Sequence, residues 1–262
     1  MSHWPPPRGP RVCTGVGSPL SCHHFDYTVY LMKDAADSDV AQGTPALPDA
    51  LSTWARRSIW LLPVWGLLLV LSTLTEQPDF DTDFEGYARY ITTTPFLLSH
   101  LLASIGGAAL GCIGAIALGI HLATSRAARM ALWGMAAFVA SQVVTSSVFG
   151  VAAFFQPAVG RAYLDGQQAV ARAINSEVYG PAVFAVVGAG ILLMIAGAVL
   201  LGWAAARAGV GPAWAGVLFA VAVPVFAIGG QIFNLLHTIA GLVIVISSAV
   251  LARAVAASRA AV

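Results

Sequence analysis

Charge is what this sequence has least of. Only 10% of its 262 residues are Asp, Glu, Lys or Arg, against about 25% in an ordinary soluble domain. Too few ionic groups remain to cover a globular surface in water, which points away from a soluble fold. Lysine is nearly missing: Lys33 stands alone beside twelve arginines. With the abundant alanine, that bias suggests GC-rich bacterial coding. A net charge of +1 offers no basic surface for nucleic acid.

Cysteine is scarce as well. Cys13 and Cys22, even with His23 and His24 beside them, lack the paired spacing of a zinc site. Cys112 sits in an apolar run, where a lone thiol behaves as a small hydrophobe, so no disulfide is implied. Catalytic signatures are missing too. There is no HExxH, no GxSxG, no phosphate-binding loop and no pair of carboxylates inside an apolar segment. Hydrolytic and transfer chemistry has no foothold, and the expectation leans away from an enzyme.

What the chain has is apolar length. Hydrophobic residues make up 58% of it and mean hydropathy is +0.79. No charged residue occurs between Ile91 and Ser125, Met130 and Gly160, Val178 and Ala206, or Ala208 and Ala252. These runs are apolar on every face, as lipid-facing helices are and buried soluble helices are not.

A span needs roughly 20 apolar residues. The runs predict an all-α, polytopic transmembrane bundle of six spans: 58–74, 96–123, 130–155, 181–206, 213–228 and 231–251. Pro224 is expected to kink the fifth span, and Gly229-Gly230 to turn into the sixth. Arg56, Arg57, Arg126, Arg129, Arg207, Arg253 and Arg259 fall on one side. Arg89, Arg161 and Arg172 fall on the other, among most of the acids. The arginine rule then places both termini in the cytoplasm of a bacterial plasma membrane.

Residues 1–55, with Pro5–Pro7 and no hydrophobic period, are expected to be a disordered cytoplasmic tail ahead of a six-span domain at 56–262. The tail has no apolar core of a secretory signal. Met32-Lys33-Asp34 reads as a natural start, so residues 1–31 are expected to be an over-extended translation.

The first outer connection alternates acids and aromatics from Asp79 to Glu85. An EF-hand beginning at Asp79 would need Gly at Phe84 and Glu at Tyr90, so calcium binding fails. Phe80, Phe84, Tyr87 and Ile91 instead share one face of a short interfacial helix. Thr94-Pro95 is expected to open the second span. A weaker pattern, Tyr163, Val170, Ile174 and Val178, predicts a second such helix in the other outer connection.

No Asp, Glu, Lys or Arg lies inside a span, which disfavours proton-coupled carriers. The intramembrane polarity worth attention is His100 and His237, predicted at similar depth in the outer half. Ser99, Gln142, Gln231 and Asn234 would form an outer polar pocket with them. Ala103, Gly107, Gly111, Ala115 and Gly119 recur every four residues on the second span, a stripe for close helix packing or oligomer contacts, homo or hetero.

Three functional readings follow. The leading one is a structural or accessory protein of the lipid bilayer that binds partners through small-residue faces. The second is a redox protein holding haem b or a metal between His100 and His237. The third is a transporter or small-molecule sensor built on the outward-facing polar pocket.

Overall fold

A computed structural model describes residues 48–74, 77–229 and 234–258. The predictions made for residues 1–47, including the early cysteines and the alternative start, and for Gln231 lie outside them. Every regular element among the described residues is a helix. Five helices are long and apolar enough to cross a membrane. That much supports a membrane protein.

In chain order the elements are α1 (Asp49–Ser58), α2 (Leu61–Ser72), α3 (Phe84–Ile91) and α4 (Thr94–Leu98). A π-helical stretch (Ser99–Gly106) then leads into α5 (Gly107–Leu122). α6 (Ala128–Leu164), α7 (Gln168–Val178), α8 (Pro181–Ala208), α9 (Ala213–Gly229) and α10 (Asn234–Ala257) complete the chain. α9 has 17 residues, with Pro224 inside it, and falls short of the five continuous stretches long enough to cross: Asp49–Ser72, Thr94–Leu122, Ala128–Leu164, Pro181–Ala208 and Asn234–Ala257.

Local chemistry sets these boundaries. Pro95 and Pro181 occupy first-turn positions, where a missing N–H costs nothing. The cap of α4 is Thr93, one residue before the expected Thr94; its hydroxyl accepts from the Phe96 N–H. α8 stops at Gly209, whose φ of 74° closes the helix in the left-handed region. Among the described residues helicity begins at Asp49, within the stretch expected to be tail; Arg56 and Arg57 hide the helical pattern of α1 behind charge.

Six helices, α2, α5 with its π-helical lead, α6, α8, α9 and α10, form a closed ring. Each packs on the next in that order, and α10 returns to α2. Close approaches fix the sense of three pairs. Gly66 meets Ile244 and Val245, while Gly241 meets Val70, so α2 and α10 run antiparallel. Gly111 against Trp65 and Gly114 against Leu62 give the same result for α2 and α5. Gly134 against Leu201 and Gly197 against Phe138 make α6 and α8 antiparallel as well. Gly202 and Gly216 touch where α8 meets α9, and Phe226 reaches both Gly241 and His237 where α9 meets α10.

α6 is longer than its predicted 130–155 span. Its 37 residues reach about 55 Å at 1.5 Å per residue, well past a hydrocarbon core of roughly 30 Å. Pro157, two residues past the predicted end, lies inside the helix. The overshoot carries a second core of Phe84, Tyr87, Ala88, Ile91, Val159, Tyr163 and Ala171, which packs α3 and α7 onto α6 as a cap. α3 buries the face expected of it: Phe84, Tyr87 and Ile91 are all 4% exposed or less.

The face proposed for α7 is corrected. Tyr163 belongs to α6, Val170 and Ile174 are exposed, and α7 buries Ala171 and Asn175 instead. The small and amide side chains win because Arg172 spans Phe84 and Tyr163 at 4.6 and 5.4 Å from their ring centres. That contact turns the apolar pair outward.

Aromatic placement agrees with a membrane boundary. Trp54, Trp60, Trp133, Trp203 and Trp214 are all 40% exposed or more. Each lies near the helix ends that also carry Arg56, Arg57, Arg126, Arg129 and Arg207. Such a girdle sits where apolar rings meet wet headgroups.

Candidate functional site

The ring encloses a cavity of about 430 Å³ in the half away from the tryptophan girdle. Its wall draws on all six ring helices, with Gln77 and Tyr90 of the connection between α2 and α4 at its rim. Below it the core closes: the Trp65 and Phe138 rings meet edge-on at 5.2 Å, and Phe138 and Phe219 lie 6.5 Å apart. All three side chains are buried. The cavity is therefore blind at the arginine-rich end.

His100 and His237 both border this cavity. His100 comes from the π-helical stretch, whose i→i+5 bonding inserts an extra residue per turn, a feature frequent at functional sites. Its Nδ1 lies 3.0 Å from the Phe96 carbonyl, so Nδ1 carries the proton and Nε2 keeps a lone pair. The Ser99 hydroxyl donates to the same carbonyl at 2.8 Å. The imidazole stacks on Phe96 at 4.1 Å and meets Phe149 at 6.0 Å. His237, on α10, packs its ring 3.9 Å from that of Phe226. It makes no hydrogen bond among the described residues.

Ser99 and Gln142 also line the cavity. Gln142 is 3% exposed, and its amide nitrogen has only the Ser141 hydroxyl at 3.4 Å and the Met194 sulfur at 3.7 Å. Its amide oxygen accepts no bond among the described residues. A buried amide this poorly engaged costs free energy unless something else meets it. Asn234 stands elsewhere: its Nδ2 donates to the Thr73 carbonyl at 3.3 Å, tying α10 to the end of α2. Thr73 and Thr238 join hydroxyls beside that contact at 2.8 Å.

On the small-residue stripe, Gly107 and Gly111 lie against Trp65, and Gly119 lies against Met135. Ala103 and Ala115 are buried between them. The stripe thus packs within the ring, and Trp65 reaches the cavity across it. Trp65, Met194, Phe226, Tyr90, Ser104 and Thr145 complete the lining that matters. In sequence these are ordinary core or surface residues; only ring closure brings them together.

The cap is wired to the site by aromatic rings. Tyr90 of α3 meets Phe96 edge-on at 5.5 Å, and Phe96 carries His100. The outer acids serve the backbone here. The Asp79 carboxylate accepts from the Asp81 and Thr82 N–H groups, and those backbone bonds hold it below the usual carboxylate range. Asp83 caps α3 through the Gly86 N–H at 2.9 Å. Beneath α3, the Tyr87 hydroxyl donates to Asn175 at 3.2 Å, and Gln156 Nε2 lies 2.6 Å from the Tyr179 hydroxyl. Burial pushes the Tyr179 phenol up to about 12 and raises Tyr87 as well.

Among the described residues no three His, Cys, Asp or Glu side chains gather as a metal site. Comparison with known proteins returns no match to a family model, to a curated protein or to a solved structure.

Proposed function

We propose that the protein is a six-span plasma-membrane protein, both termini cytoplasmic, that binds a small, mostly apolar molecule in its outward-facing cavity. The observation that carries this is the cavity with its under-used polar groups. Ligand sites are blind, mainly apolar hollows of about 300–1,000 Å³ with a few convergent polar atoms. Here Trp65, Phe226 and Met194 supply the apolar wall, and Gln142, His100 and His237 supply the polar atoms. This favours a sensor or carrier over the purely structural role to which the glycine stripe alone pointed.

The sixth span in this reading is α9. Its 17 residues reach about 25 Å, and it lies antiparallel between two membrane-length helices. An even number of alternating spans returns the chain to its starting side. The arginine and tryptophan concentration at that side supports calling it cytoplasmic.

The test is thermal unfolding in detergent with 2-naphthol and 2-naphthamide as probes, each a flat apolar body bearing one polar group. At least one should raise the midpoint by several degrees, and Gln142→Leu and His237→Phe should each abolish the rise. A stabilisation that survives both variants would remove the cavity as the site.

A second reading has its own observation. Metal-bound histidines usually donate the other ring nitrogen to a carbonyl or carboxylate, as His100 Nδ1 does to Phe96. Haem b held between His100 and His237 would then show a Soret band lost in either His→Ala variant. Protein expressed with added haem and purified colourless would remove this reading.

A further inference from the structure

A second site lies at the opposite end of the molecule, independent of the cavity. A groove of about 720 Å³ runs between the start of α6 and the end of α8, lined by Arg126, Arg129, Arg207, Met130, Trp133 and Leu200. We propose that this groove binds an anionic phospholipid, its phosphate on the three arginines and an acyl chain along Met130, Trp133 and Leu200.

Charge is the first argument. All three arginines are exposed, and none forms an ion pair among the described residues; the pair found there is Arg89 with Glu85, in the cap. Three uncompensated guanidinium groups around one hollow repel one another until an anion enters. Arginine's planar fork suits a phosphate in particular.

Organisation is the second. Arg126 Nε donates to the Arg207 carbonyl at 2.8 Å. That bond pins the short connection before α6 to the end of α8 and leaves the two terminal nitrogens of Arg126 free to face a ligand. The groove also includes Ala127, directly before the first turn of α6; the Ala127 and Ala128 N–H groups already bond Ser125, and the positive end of the helix dipole still favours an anion.

The floor selects the source of the phosphate. Trp133 is 67% exposed, and with Met130 and Leu200 it forms an apolar strip leading from the arginines toward the ring's outer surface. A free phosphate gains nothing from that strip, whereas an acyl chain does. Basic pockets between membrane helices at the cytoplasmic boundary recognise lipid headgroups on this same logic.

The experiment is native mass spectrometry of the full chain in detergent, titrated with dioleoylphosphatidylglycerol or dioleoylphosphatidylcholine. The anionic lipid should bind more tightly. Removing one arginine near an anionic headgroup should weaken binding about fivefold, so Arg129→Gln costs about fivefold and Arg129→Gln with Arg207→Gln about twenty-five-fold. Trp133→Ala should weaken the anionic lipid while leaving the helical circular dichroism unchanged. Arg253→Gln, exposed at the same end but outside the groove, should keep wild-type affinity. If the double variant fails to fold, Arg129→Gln and Trp133→Ala carry the test. Equal affinity for the two lipids would overturn the proposal. So would an equal loss in Arg253→Gln, or full displacement of the lipid by 10 mM inorganic phosphate.

Discussion

Replacing Gly197 by alanine adds one methyl group where two backbones have no room for it. A Cβ at Gly197 would lie 2.7 Å from both Cα and Cβ of Phe138, whereas carbon atoms rest at about 3.5–4.0 Å. α6 and α8 would have to part by roughly an ångström. The atoms in the way are backbone and the root of a buried ring, so no flexible side-chain tip can yield. Overpacking of this kind costs about 1–3 kcal/mol, partly offset by about 0.5–1 kcal/mol because alanine outranks glycine in a helix. At about 2–4 °C per kcal/mol for a chain of this size, the unfolding midpoint should fall by up to about 10 °C. The internal control is Gly188→Ala, nine residues earlier on the opposite face of α8, where nothing lies within 4 Å of the added methyl. That variant should be neutral or slightly stabilised. Differential scanning fluorimetry in one detergent reads both. Equal shifts in the two variants would refute the claim that glycine contact at this position holds α6 against α8.

Other outcomes follow from the same geometry. Trp65→Ala removes a buried ring from the cavity floor and should cost about 3–5 kcal/mol, seen as a lowered midpoint with helical content retained. Asp83→Ala loses the cap of α3 and should cost about 1 kcal/mol, with amide exchange accelerating from Phe84 to Ile91 rather than in the ring. Tyr179 and Tyr87 titrate higher in the fold than in the unfolded chain. Their contribution is therefore complete below pH 10 and lost as pH climbs toward about 12. The midpoint should drop above pH 10, less steeply in Tyr179→Phe; an identical alkaline profile in that variant would refute the assignment. Thr73→Val with Thr238→Val should show a coupling of about 0.6 kcal/mol in a double-mutant cycle, the usual size for hydrogen bonds between membrane helices.

The helices at 94–122 and 181–208 were legible because their apolar runs are long and end at proline, glycine or arginine. α1 was not, since Arg56 and Arg57 near its end look like the edge of a tail. The far end of α6 was missed because the uncharged run stops before Arg161, and the aromatic cap that carries the helix on past Pro157 draws on residues distant in sequence. His100 and His237 stood out as imidazoles in otherwise apolar helices, and ring closure sets them on one cavity. Trp65, Met194 and Phe226 carried no such signal, because a side chain that lines a hollow is chemically the same as one that fills a core. The π-helical stretch had no local signature either; its register depends on what the neighbouring helices leave open.

One continuous helix, α6, holds a floor residue (Phe138), two wall residues (Gln142 and Phe149) and a cap residue (Tyr163). Floor, wall and cap are thus segments of one backbone, and a displacement of the cap reaches Phe138 only through Pro157. Pro157 sits between the wall and the cap, and its missing N–H makes it the one softened joint along that helix. The length of α6 also joins cap to floor, with its weakest point at the boundary between the ring and the cap.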